Sequence, residues 1–118
     1  MKKVFTVIAL VLLSASACFA LSDEEYLRMK KNNADFARAD RRLSQVWTRL
    51  KGSMSARAFS ELQVLQREWI DSGRDEEAQS YMNDGYSRVE AYTMATSDRA
   101  DELPKLAREI GRKYRRSR

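Results

Sequence analysis

Histidine is missing from this chain altogether, and cysteine and proline occur once each, at Cys18 and Pro104. Without histidine and with a single thiol, no Ser-His or Cys-His nucleophile pair can form, nor a zinc site of the usual ligand sets. Only four glycines are present. No phosphate-cradling glycine loop, cofactor signature or calcium-loop spacing of carboxylates can be found. Strand alternation, internal repeats and low-complexity linkers are absent as well. Few turn-formers and 33% charged residues point to an all-α fold. A length of 118 residues allows one domain.

What is present begins with an address. Lys2 and Lys3 precede an apolar run from Val4 to Leu13, and the small residues Ser14 to Ala17 follow. A basic start, a short apolar stretch and small residues at its end describe a secretory signal peptide over residues 1–20. The run is about half of the roughly 20 residues that a bilayer span requires. Two processing routes remain. Cleavage after Ala20 uses Cys18 and Ala20 as the small residues at −3 and −1. The alternative makes Cys18 the acylated cysteine of a lipoprotein, but Ala15 stands where such signals usually carry leucine. Cleavage after Ala20 is the favoured route, and it predicts an exported, periplasmic or secreted chain that begins at Leu21 and holds no cysteine.

Charge divides unevenly along the mature chain. Residues 21–103 carry 13 basic and 16 acidic side chains, a net of −3, whereas residues 104–118 carry seven basic and one acidic, a net of +6. The basic isoelectric point therefore belongs to the tail. An acidic body in an exported protein argues against nucleic-acid binding, the usual reading of a small basic chain.

Ser22 and Glu25 form a capping box, so the first helix starts there. Asn32-Asn33 marks a break or kink. Phe36, Ala39, Leu43, Val46, Trp47 and Leu50 then recur at spacings of three and four, the stripe of an amphipathic helix, with Gly52 as its stop. Ser53 or Ser55 caps the next helix, whose stripe is Phe59, Leu62, Leu65, Trp69 and Ile70. Gly73 within it marks either a close approach or a kink. After the turn signal Asn83-Asp84-Gly85, a third stripe follows through Val89, Tyr92, Thr93, Thr96, Ala100 and Leu103. Pro104 either breaks this helix or opens a short fourth one. The expected fold is an antiparallel bundle of three principal helices over residues 21–103, with a short basic helix or tail over 104–118.

Several residues stand out in a fixed order: Ala39-Asp40-Arg41-Arg42-Leu43, Gln66-Arg67-Glu68-Trp69, Arg74-Asp75, and Thr96-Ser97-Asp98-Arg99-Ala100-Asp101-Glu102-Leu103. This order resembles the LprI-type lysozyme inhibitor family, whose pattern reads AD-x-x-L, QR-x-W, RD and T-x-x-R-x-x-EL. The resemblance covers about residues 22–103. On it, Gln66, Arg67, Trp69, Arg74, Asp75, Thr96, Arg99, Glu102 and Leu103 are the family-motif residues. The resemblance also implies a paired loss of cysteine. Many members carry one cysteine three residues after the RD pair and another five before the late threonine, where this chain has Ala78 and Ala91. The two alanines are then expected in contact across the second and third helices, at the roughly 4.4–6.8 Å Cα separation of a disulfide.

The family resemblance implies binding to a lysozyme or another peptidoglycan hydrolase, whose active site holds two carboxylates in a cleft. Against a basic lysozyme the acidic body is the expected face, with Glu68, Asp71, Asp75 and Glu76 as partner-binding residues. The first three share one helix side by spacing, and Asp84 and Glu90 extend the negative surface. Alternatively these charges form ordinary intrahelical pairs, while Arg74, Asp75 and Arg99 tie the second helix to the third. Trp47 and Trp69 read first as core. A different function class rests on the tail. Lys105, Arg108, Arg112, Lys113, Arg115, Arg116 and Arg118 either dock the protein on anionic lipid or wall polymer, at about 1 kcal/mol per base, or form a solubilising end. Truncation after Leu103 is expected to separate docking from inhibition. Catalysis by Glu68 with Asp71, or Asp75 with Glu77, is disfavoured, because exposed carboxylates on a small bundle lack a cleft.

Overall fold

A computed structural model describes residues 20–116. Residues 1–19 of the signal segment, Cys18 among them, and Arg118 lie outside the described residues. The fold is an all-α bundle with helices α1 (Asp23–Asn32), α2 (Ala34–Ser53), α3 (Ala56–Glu68), α4 (Arg74–Asn83) and α5 (Arg88–Arg116). A π-turn, Trp69–Gly73, joins α3 to α4 without leaving helical backbone, so the two read as one long rod.

Each start and stop has a local cause. The Ser22 hydroxyl accepts from the Glu25 backbone N–H and caps α1. The reciprocal half of the expected box is not made, because the Glu25 carboxylate binds Arg88 instead. Asn33 breaks the chain between α1 and α2 by adopting extended backbone, as the Asn pair predicts. Gly52 does not stop α2; the helix runs one residue further, and Met54 turns out of it with its N–H on the Leu50 carbonyl. Ser55, rather than Ser53, caps α3 by accepting from Ala58. Gly85, at φ 103°, supplies the left-handed step that ends the α4 turn.

Consecutive long helices run antiparallel, so α2 and α5 are parallel and the rod of α3 and α4 opposes both. One core cluster joins α2, α3 and the second half of α5 through Val46, Phe59, Leu62, Leu103 and Ile110. The other lies at the opposite end, where Leu21, Met29 and Phe36 meet Ala78, Ala91 and Tyr92. Ala78 and Ala91 are both fully buried in this second cluster.

The largest departure from expectation is at Pro104, which sits inside the 29-residue α5 and neither breaks it nor opens a new helix. An internal proline costs about 3 kcal/mol or more. Leu103 and Ile110 flank it and are buried in the main cluster at 0% and 7% exposure. Each such side chain contributes roughly 1.5–3 kcal/mol, enough to hold the helix through the missing rung. Residues 104–116 therefore belong to the bundle and are not an appended tail.

Candidate functional site

The family-motif residues converge, and they converge inward. Arg99, 5% exposed, donates through Nε to Gln66 Oε1 at 2.8 Å and through Nη1 to Glu102 Oε1 at 2.7 Å. Its Nη2 reaches the Leu65 carbonyl at 3.3 Å, and its guanidinium lies 5.5 Å from the Trp69 ring centroid. Arg74 stacks on the same ring at 5.9 Å. Thr96 and Leu103 are buried on α5. These groups chiefly tie α3 to α5, with the Glu102 side chain 45% exposed. Arg67 is exposed.

Asp75 does not pair with Arg99 as the charge pattern suggests. Its Oδ1 accepts from the Tyr92 hydroxyl at 2.6 Å and from the Leu21 backbone N–H at 3.1 Å. Burial and the bond to Asp75 push the Tyr92 phenol well above its usual range. Close by, Arg88 forks onto Glu25 at 2.6 and 2.8 Å, tying α1 to α5 and holding the Glu25 carboxyl below its usual range. The Tyr81 phenol, bonded to Asp98, is pushed up to about 12. Burial first, then Glu102 and Asp98, raise the Glu77 carboxyl, while Trp69 and Arg99 oppose the rise.

The single acidic face is not assembled. The π-turn places one extra residue between Glu68 and Asp75, which rotates the following helix by about 100° relative to an unbroken α-helix. Glu68 lies beside Trp69, Arg99 and Glu102 on the α5 side, whereas Asp71 lies beside Leu43 and Trp47 on the α2 side. Asp75 is held inward, while Glu68, Asp71 and Glu76 are all exposed. Asp84 stays exposed at its turn. Glu90 has a different job: it accepts from the Ser87 N–H while its own N–H bonds the Ser87 hydroxyl. This capping box opens α5, and the bonds to Ser87 hold the Glu90 carboxyl low. The Ser-x-x-Glu spacing was the signal for it.

Gly73 explains the turn. The Arg74 N–H bonds the Trp69 carbonyl five residues back, and a methyl on Gly73 would stand 3.1 Å from Trp69 Cδ1. The absent side chain lets the indole lie against its own backbone, between two guanidinium groups. Trp69 then faces inward at 5% exposure while the adjacent Ile70 is left 46% exposed.

That outward turn creates a groove of about 710 Å³ between α2 and α3, lined among others by Leu43, Trp47, Gln66, Arg67, Ile70 and Asp71. Trp47 is half-buried there, its ring tilted against Phe59 with centroids 4.8 Å apart. The stripe spacing predicts Ile70 as buried, but the structure turns it outward beside Leu43 and Trp47. Along α5 a second feature is ordered: Lys105, Arg108, Arg112 and Arg115, with Arg116, recur at spacings of three and four and are all exposed. Lys113 is held apart by Glu61 at 2.6 Å, which raises its pKa.

Among the described residues no group of three or more His, Cys, Asp or Glu is placed to hold a metal, and no helix is long and apolar enough to cross a membrane. No family model, curated protein or solved structure matches the chain.

Proposed function

We propose that this chain is an exported helical binding protein of the LprI-type lysozyme inhibitor kind, which blocks a basic lysozyme or related peptidoglycan hydrolase through the α2–α3 groove. The observation that carries the reading is the composition of that groove. Trp47, Ile70, Arg67 and Asp71 share one concavity, the mixture of aromatic, aliphatic and arginine anchors that dominates protein interfaces. Asp71 replaces the broader acidic face as the charge that meets a basic partner. The acidic body speeds encounter, and the groove supplies the lasting contacts.

A muramidase clearing assay tests it, with residues 21–118 titrated against animal and bacterial lysozymes. Saturable, near-stoichiometric inhibition is expected. Asp71→Lys combined with Arg67→Ala should weaken it at least tenfold, with the circular dichroism spectrum unchanged. No inhibition at micromolar excess would refute the reading.

The ordered basic stripe of α5 supports a second reading, an envelope adaptor docked on anionic lipid or wall polymer. Truncation after Leu103 no longer separates the two readings, since it removes Ala107 and Ile110 from the core. Neutralising Arg108, Arg112, Arg115 and Arg116 to Gln does. At about 1 kcal/mol per base, vesicle binding should fall about 10³-fold while groove-based inhibition survives.

A further inference from the structure

The backbone nitrogen held by Asp75 belongs to Leu21, the residue at which the sequence places the new N-terminus. Three observations meet there. Leu21 N lies 3.1 Å from Asp75 Oδ1, and Tyr92 Oη bonds the same oxygen at 2.6 Å. The Leu21 side chain is 9% exposed and packed into the second core cluster. Ala20, immediately before it, is exposed, while Ser22, immediately after, caps α1. The boundary between outside and inside thus falls on the Ala20–Leu21 bond.

We propose that the Asp75 carboxylate is a receptor for the α-ammonium of Leu21, created when a signal-peptide-cleaving protease hydrolyses the Ala20–Leu21 bond. Water adds to the Ala20 carbonyl carbon and the C–N bond breaks. Ala20 leaves as a carboxylate, and the Leu21 nitrogen takes up the proton to become a cation. The nitrogen already sits within hydrogen-bond distance of Asp75, so a neutral amide donor becomes a charge-assisted one in place. Processing in this way fastens α1 to α4 and α5, and an uncut chain lacks that ion pair.

One cation already stands close: Arg88 on α5 forks onto Glu25 of α1 and also reaches the Ala20 carbonyl at 3.5 Å, a contact that cleavage removes. Asp40 on α2 is engaged by Tyr26 and Lys30. On α4, Arg74 lies against Trp69. Asp75 otherwise has Tyr92 as its side-chain donor. The Leu21 ammonium gives Asp75 an opposite charge in direct contact.

The inference rests on the export reading, and its test separates the two. Protein recovered from the exported fraction is first weighed by intact mass spectrometry. A mass of residues 21–118 supports cleavage after Ala20; a different N-terminus, or an acylated Cys18, overturns both the processing and the inference. The folded chain beginning at Leu21 is then acylated with an activated ester across a pH series, beside a Leu-Ser-Asp-Glu peptide, and the α-amine product is located by peptide mapping. An ion pair raises the α-ammonium pKa at least one unit above its usual range of about 7.7–8.0 and slows acylation near pH 7 by about tenfold. Burial alone would lower that pKa.

Adding one glycine before Leu21 moves the amine out of reach of Asp75, and Asp75→Asn removes the counter-charge. The glycine should return the pH profile to that of the peptide with the fold unchanged by circular dichroism, and Asp75→Asn should bring the pKa to the peptide value or below it, since burial then acts unopposed. Tyr92→Phe keeps the carboxylate and should retain a raised pKa. A Leu21 α-amine that titrates at or below the peptide value in the folded chain overturns the proposal, whatever the N-terminal mass shows.

Discussion

Replacing Arg99 by Met should remove a large part of this domain's stability while leaving its surface untouched. The guanidinium is 5% exposed and gives Gln66 its buried hydrogen bond at 2.8 Å. A hydrogen bond to a charged group contributes about 1.5–3 kcal/mol, and the loss includes a Gln66 oxygen left without its donor. The Glu102 carboxylate is 45% exposed and can turn to water, so losing that contact costs about 0–1 kcal/mol. Stacking on the buried Trp69 ring adds roughly 1–2 kcal/mol. Together these give a loss of about 3–5 kcal/mol, comparable with breaking a buried charged pair. For a domain near 100 residues this lowers Tm by about 15–25 °C. Thermal and urea melts followed by circular dichroism on residues 21–118 measure it. The reasoning has an internal control. Arg99→Met with Gln66→Met removes both polar partners and should recover at least half of the loss, because an apolar pair leaves nothing unsatisfied. A single-variant loss under about 1 kcal/mol would refute the account. So would a double variant less stable than either single.

Ile110→Ala should cost about 2–4 kcal/mol in urea denaturation, because the basic segment carries part of the main core; an unchanged midpoint would restore the picture of an appended tail. The double variant Ala78→Cys, Ala91→Cys should oxidise without added catalyst and gain about 3 kcal/mol for its short loop. Free thiols persisting under oxidising conditions would show that the two sites do not meet in disulfide geometry. The Glu25–Arg88 fork makes stability depend on pH with a definite sign. Its folded pKa is depressed, so the contribution is full above the ordinary Glu value of about 4.3 and is lost as pH falls through that value towards the folded pKa. Glu25→Gln should therefore cost about 1 kcal/mol at pH 7 and nothing once the wild-type carboxyl is protonated. Melts from pH 7 down to pH 3 measure this, and a gap between the two proteins that stays constant would contradict it. The raised Glu77 carboxyl acts in the opposite sense, favouring the fold at lower pH, but it is common to both proteins and cancels in the difference.

The chain's own pattern was enough for the helices, because an apolar stripe at spacings of three and four has one stable use, burial against other helices. The Asn33 break and the Asn-Asp-Gly turn were legible for the same local reason: they act through backbone conformation and need no distant partner. Pro104 was misjudged because its cost is local while the compensation, Leu103 and Ile110 against α2 and α3, is not. The binding surface shifted for a related reason. Spacing rules assume an unbroken α-helix, and one π-turn shifts the register of the residues that follow it, Asp75 and Glu76 included. Composition decided the all-α class, the charge asymmetry and the lack of histidine chemistry. Only tertiary packing decided that Arg99 faces inward, that Ile70 faces a groove, and that Asp75 meets the backbone nitrogen of Leu21, 54 residues earlier. Such pairings depend on which helices become neighbours, and short-range periodicity carries no record of that.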